Sequence, residues 1–206
     1  MTITINDKEC NVPFDLSAIV LGEYRQFISQ YGKLIEQDPD CEPLAWYSFW
    51  TGFDLFLVKD EPFVKPAIER YHILATEILK NETELVPDVT ERIAWNDEYW
   101  SFQDFIVDRT IMSYNEIVWS REFLKLSFLF KRNPWAAMPS LCAIFFRKIN
   151  EPMFIHGDTV FESRVQMMER LPMNIAMAIK NYITEIFKKD IEEVKPGDIE
   201  TDFSTD

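Results

Sequence analysis

One short pattern occurs twice in this chain, starting at residues 3 and 93. Each copy has β-prone residues, then Asn-Asp, then a polar return. Asn and Asp adopt the positive φ of a tight turn more readily than most residues, so each copy predicts a two-residue β-hairpin. The copies are ITINDK at residues 3–8 and IAWNDE at residues 93–98. They indicate either an internal duplication or two unrelated hairpins of a common kind.

Most of the remaining chain follows a helical period. Leu21, Tyr24, Phe27 and Ile28 begin an apolar stripe that predicts a helix from about 21 to 37. Further helices are predicted at about 43–58, 64–80, 101–119, 121–131, 134 or 139–148, 159–171 and 173–189. The fold class is therefore mainly α (α+β): a helical domain with two short β-hairpins and an acidic C-terminal tail. We divide the chain into 1–86 and 87–189, packed as one unit, and a mobile tail at 190–206.

The charge distribution limits the partners that the chain can have. The net charge is −14, and residues 190–206 hold seven acids against Lys195. An acidic surface repels nucleic acid and anionic lipid, so sequence-independent binding to nucleic acid is not expected. The longest apolar runs are too short for a membrane span, and the N-terminus lacks the pattern of a secretory signal.

The chain contains residue types found in metal sites and in catalytic sites, but not at the spacings that those sites require. The chain has only two histidines, and Glu69 with His72 forms a single Glu-x-x-His element, whereas di-iron bundles use two. Cys142 and His156 are a conceivable nucleophile pair, but Cys142 lies in an apolar helix that favours a buried thiol. No phosphate-binding glycine motif is present. We therefore predict no enzyme activity, no cofactor and no metal.

Two segments combine features that protein interfaces favour. The predicted helix at 43–58 is apolar nearly all round, which suits either the core or an interface. Residues 121–148 carry a net charge of +5 with interleaved aromatic residues. Arg, Trp and Phe are enriched at protein interfaces, while basic and aromatic residues can also stack on single-stranded nucleic acid. The candidate interface residues are Trp46, Trp50, Phe53, Arg121, Lys125, Lys131, Arg132 and Trp135.

Two stretches resemble proteins of one group of viruses. Residues 2–12 (TITINDKECNV), followed by Leu21-Gly22-Glu23-Tyr24, and residues 138–148 (MPSLCAIFFRK), followed by Arg164, resemble uncharacterised virion-associated and assembly proteins of tailed, crAss-like bacteriophages. The resemblance covers residues 1–190 and carries no catalytic residue. It implies a small structural component, a packaged cargo protein or a tail assembly chaperone.

These observations together predict a non-enzymatic phage virion protein, structural or cargo, that is made in the bacterial host cytoplasm and located in the virion. Its partners would be other virion proteins, and it would be a homo-oligomer or present in many copies. A tail assembly chaperone is the alternative. A small host-directed nucleic-acid-binding protein or enzyme is a further alternative.

Overall fold

The computed structural model describes residues 2–5, 8–13, 15–54, 92–102, 135–148, 151 and 159–186, together with single positions 69, 72, 73, 76, 80 and 118. Within them lie five α-helices, two short 3₁₀ helices and five strands. The helices are α1 (Leu21–Gln37), α2 (Glu42–Thr51), α3 (Met138–Phe145), α4 (Thr159–Met168) and α5 (Met173–Ile186), and the 3₁₀ helices are Leu16–Ala18 and Pro39–Cys41. The strands are β1 (Thr2–Ile5), β2 (Lys8–Asn11), β3 (Arg92–Trp95), β4 (Glu98–Phe102) and β5 (Phe146–Lys148). The predicted mainly α class is confirmed.

Both predicted hairpins form. β1 pairs antiparallel with β2, and Ile5 lies opposite Lys8. β3 pairs antiparallel with β4, and Trp95 lies opposite Glu98 across a two-residue turn. Asn96 has φ 54° and Asp97 has φ 60°. Two successive positive φ angles define the type I′ turn that matches the twist of the flanking strands.

A third strand pairs with the second hairpin, at residues where the sequence predicted a helix. β5 pairs with β4, so the sheet order is β3-β4-β5, and Phe102 lies opposite Phe146. The predicted helix ending at 148 is therefore wrong over its last three residues. The prediction of a helix opening at Ser101 is also wrong, because Ser101 and Phe102 belong to β4. In both places pairing between strands distant in sequence overrides the local helical pattern.

The predicted helix bounds hold best where strong local signals mark the ends. α1 has the predicted bounds, and Asp38 with Pro39 ends it. α2 ends at Thr51, short of the predicted Val58, because Gly52 adopts φ 70°. α4 ends at Met168 and not at the predicted 171. The predicted helices at 64–80 and 121–131, most of the one at 101–119, the domain boundary at 86 and the tail at 190–206 lie outside the described residues, apart from six helical positions.

One hydrophobic core joins elements from both ends of the chain. It contains Val12 near the N-terminus, Trp46 in α2, Trp100 in β4 and Ile183 in α5. The start of α1 lies on the turn between α4 and α5, where the main-chain nitrogen of Leu21 donates to the oxygen of Leu171 at 2.8 Å. Helix α2 packs against α1 and against β2.

Candidate docking site

A continuous series of aromatic side chains runs from the core to the surface along α1 and α2. The rings of Phe27 and Trp46, both fully buried, stack with centroids 4.0 Å apart. Trp46 is parallel to Trp50 at 6.3 Å, and Phe49 meets Trp50 edge-on at 5.0 Å. Phe49 and Trp50 are only half-buried. The buried rings therefore fix the orientation of rings that reach solvent, and a pre-oriented aromatic surface loses little conformational entropy on binding.

The C-terminus of α2 turns the chain back beside this aromatic surface. Gly52 has a left-handed conformation, and its nitrogen donates to the oxygen of Ser48 at 2.8 Å. The hydroxyl of Ser48 donates to the oxygen of Phe53 at 2.7 Å, and the nitrogen of Phe53 donates to the hydroxyl of Thr51 at 3.3 Å. These bonds satisfy the helix end and hold Phe53 close to the last turn of α2.

An open cleft of about 530 Å³ lies between this turn and α1, and we call it the α2 cleft. Three half-buried aromatic side chains form its apolar walls, and an amide, a hydroxyl and a carboxylate contribute polar groups. Its volume falls in the range of ligand pockets. The residues that line it are Gln30, Tyr31, Ser48, Phe49, Gly52, Phe53 and Asp54.

Trp50 is next to Phe49 of the α2 cleft in sequence and carries a donor for which the described residues supply no acceptor. Its indole Nε1 is buried and donates no hydrogen bond to any group in the described part of the chain. A buried donor left unpaired costs about 1–3 kcal/mol. Among the described residues, the surface around α2 therefore holds one buried donor without a partner.

The candidate interface residues from the sequence fall into three groups. Trp50 and Phe53 are half-buried at the end of α2, next to or within the α2 cleft. Trp46 and Trp135 are 0% and 2% exposed, so in this fold they are core residues and not surface residues. Trp135 packs edge-on against Tyr24 at 4.9 Å. The four basic candidates, Arg121, Lys125, Lys131 and Arg132, lie outside the described residues.

A second cluster, around Trp100, was not anticipated from the sequence. Arg164 lies over one face of the Trp100 ring at 4.5 Å and forms an ion pair with Glu151, while Phe146 stacks with the same ring at 5.3 Å. The side chain of Arg164 is only 5% exposed. Desolvation and, to a smaller extent, the nearby charge of Arg147 lower the pKa of Arg164 to about 10, against the opposing effect of the charge of Glu98. Arg164 remains charged at neutral pH, and the cluster joins β4 to α4.

Cys142, which the sequence analysis considered as a nucleophile, is enclosed in the core. Cys142 is 0% exposed, and burial together with the charge of Glu169 raises the pKa of its thiol well above 9.0. Burial likewise raises the pKa of Cys41. A protonated, inaccessible thiol is unreactive. His72 is helical and exposed to solvent, and His156 is outside the described residues.

The described residues contain neither a candidate metal site nor a candidate membrane-spanning helix. There, no three His, Cys, Asp or Glu side chains converge in a way that could hold a metal ion. Over the same ranges, no helix combines the length and apolarity needed to cross a bilayer.

Comparison of the chain with protein-family models, curated proteins and solved structures finds no match.

Proposed function

We propose that this chain is a non-enzymatic bacteriophage virion protein, structural or packaged as cargo, that acts through protein–protein contacts. The observation that carries the proposal is the α2 cleft, with its aromatic walls oriented by the core. The phage setting rests on the resemblance of residues 2–12 and 138–148 to virion-associated proteins. In this proposal the chain is assembled with other virion proteins in many copies.

The cleft suits an apolar anchor on a partner protein. Half-buried aromatic rings supply large contact area, and such rings dominate the binding energy of protein interfaces. Gln30 and Asp54 are exposed polar residues in the lining and would form a polar rim around the anchor. A short extended or helical segment with one or two large apolar side chains fits a volume of about 530 Å³.

The chain's net charge of −14 adds a preference among such segments. A partner segment with basic residues beside its apolar anchor would meet the chain faster at low salt than an acidic segment would. Because this steering acts at long range, added salt should slow association more than it speeds dissociation.

The location of the chain is tested by quantitative mass spectrometry of purified phage particles. A structural or cargo protein is present in the particle at a fixed number of copies. A chain that is abundant in infected cells and missing from particles would contradict the proposal and would instead support a tail assembly chaperone.

The role of the α2 cleft is tested by Phe53→Ala. Removing this ring takes away one wall, and loss of a central aromatic contact costs about 2 kcal/mol or more, which is roughly a thirtyfold weaker affinity. Tagged wild-type and variant chains are incubated with proteins from disassembled particles, and bound proteins are quantified.

Val160→Ala is the matched control for this experiment. Val160 is 55% exposed on α4, so the substitution also shortens a surface apolar side chain. Equal binding by wild type, Phe53→Ala and Val160→Ala would exclude the cleft as the docking site.

A further inference from the structure

The three-stranded sheet ends at β3, whose outer edge no strand of the described residues pairs with. In the described part of the chain, β3 has one neighbour, β4, and its residues are paired on that side alone. An edge of this kind presents a row of backbone donors and acceptors. β3 reads Arg-Ile-Ala-Trp, so it lacks the proline and lysine residues by which many edge strands block pairing.

The geometry of the turn determines which groups point outward. A two-residue turn is closed by a hydrogen-bonded pair, here Trp95 with Glu98. Hydrogen-bonded and non-hydrogen-bonded pairs alternate along an antiparallel ladder, so Ile93 also bonds to β4. The N–H and C=O groups of Arg92 and Ala94 therefore point away from β4.

The side chains of β3 alternate in burial. Arg92 and Ala94 are exposed on one face, and Ile93 and Trp95 are half-buried on the other. The half-buried pair belongs to the face that packs against the core, where Trp95 contacts Trp100 with centroids 4.9 Å apart. A strand that paired with β3 would therefore meet Ile93 and Trp95 on the core-facing side of the sheet and Arg92 and Ala94 on the solvent-facing side.

We propose that β3 pairs with β3 of a second copy of this chain, antiparallel about a two-fold axis at Ala94. The two sheets then form one continuous sheet of six strands. This register joins the outward-pointing backbone groups of Ala94 to those of the partner's Ala94. Ala94 has the smallest side chain in β3, so the two strands can approach closely at the axis.

The same register makes the side chains of β3 complementary to themselves. Ile93 lies opposite the partner's Trp95, and the reverse pair forms on the other side of the axis. Both pairs extend the apolar inner face. Arg92 comes beside the partner's turn, where the partner's Asp97 carries the opposite charge. A slip by one residue would set Ile93, which bonds to β4, opposite the partner's outward-pointing Ala94, so bonds across the interface would be lost.

The proposal does not depend on the α2 cleft, because β3 and the cleft share no residue.

The decisive test is Ala94→Pro, compared with Ala94→Thr. Proline removes the outward N–H and leaves the bonds between β3 and β4 intact, because Ala94 does not donate to β4. Threonine keeps the N–H and suits a strand.

The measurement is sedimentation velocity over a wide range of protein concentration. Wild type and Ala94→Thr should show a monomer–dimer equilibrium, and Ala94→Pro should raise the dissociation constant roughly tenfold or more, since each dimer loses two hydrogen bonds. A wild-type chain that stays monomeric at every concentration overturns the proposal. In that case a different extended segment would be sought for this edge.

A second variant keeps the test valid if Ala94→Pro fails to fold, as judged by circular dichroism. Arg92→Glu should weaken the dimer, and Arg92→Glu combined with Asp97→Lys should restore it, because the charges across the interface are exchanged. A dimer that is unaffected by Arg92→Glu and by Ala94→Pro uses another surface and contradicts the proposal.

Discussion

At the scale of single residues, the sequence pointed to aromatic residues as candidates for an interface. It did not show which of them lie in the core and which lie at the surface. Trp46 and Trp50 lie four residues apart on one helix, and Trp46 is fully buried while Trp50 is half-buried. α2 is apolar nearly all round, so its period contains no signal that distinguishes its core face from its exposed face. Among the described residues, the packing of α1 and β2 against α2 makes that distinction. It depends on contacts that local periodicity does not encode.

Arg164 was missed for a related reason. Buried arginines are rare unless they are paired, and its partner Glu151 follows a different element of the chain. No local spacing connects Glu151, Trp100 and Arg164. The one signal available in the sequence was spacing: Arg164 follows Phe161 by three residues in the predicted helix at 159–171, which places both on one helix face.

Cys142 makes a prediction about the pH dependence of stability. Its pKa is raised in the folded chain from an ordinary value of 9.0, so the unfolded chain loses this proton first as the pH rises. Stability from the buried thiol is fully present below pH 9.0 and is lost above it, by about 1.4 kcal/mol per pH unit. The measurement is urea denaturation of wild type and Cys142→Ala between pH 7 and pH 10.5.

The difference between the two chains isolates this thiol from other groups that titrate at alkaline pH. Cys142→Ala is expected to be less stable at pH 7, because it leaves a small cavity, and to lose less stability above pH 9. Stability curves that stay parallel over the whole pH range would show that Cys142 does not remain protonated in the folded chain.

At the scale of elements, prediction succeeded where the deciding interactions are local. Asn96-Asp97 specified the type I′ hairpin, and Asp38-Pro39 specified the end of α1. Prediction was wrong at β5, where residues 146–148 follow an apolar helical run but pair with β4. The three-residue strand is too short to show a period of two, and its partner lies more than forty residues away in sequence.

Gly52 tests how much one residue contributes to the end of α2. Its φ is 70°, and a Cβ at this position would meet no described atom within 4 Å, so Gly52→Ala would introduce backbone strain without a clash. The expected loss in the free energy of unfolding is about 1–2 kcal/mol. Gly52→Asn should lose less, because asparagine tolerates the left-handed conformation.

Chemical denaturation of the three chains measures this order directly. Gly52 also lines the α2 cleft. Partner binding by the same variants, measured as for Phe53→Ala, should show whether the cleft depends on this turn. Equal stability of wild type and Gly52→Ala would mean that the helix ends differently in solution.

At the scale of the whole molecule, the described parts of the chain are joined where α1 begins. The nitrogen of Gly22 donates to the oxygen of Glu169 at 2.8 Å, and the nitrogen of Met173 donates to the oxygen of Ile19 at 2.8 Å. Arg25 forms an ion pair with Glu169. Backbone bonds in both directions bring residues from the two ends of the sequence into one core, which helical periodicity cannot predict.

Gly22 is a residue at which this junction leaves little room for a side chain. A Cβ there would lie 3.0 Å from Oε2 of Glu169 and 3.1 Å from its main-chain oxygen. The side chain can move, but the main-chain oxygen is held by its bond to the nitrogen of Gly22. Gly22→Ala should therefore cost about 1–3 kcal/mol through overpacking, although alanine in a helix normally gains about 0.5–1 kcal/mol over glycine.

The sign of the change distinguishes the two effects in urea denaturation monitored by circular dichroism. A lower midpoint with an unchanged slope would show that the junction belongs to the cooperative fold. Repeating the substitution in a Glu169→Ala background removes the movable side chain, and most of the cost should remain because the main-chain oxygen is still in place. A higher midpoint for Gly22→Ala would mean that α1 and the turn before α5 are further apart in solution than a bond of 2.8 Å allows.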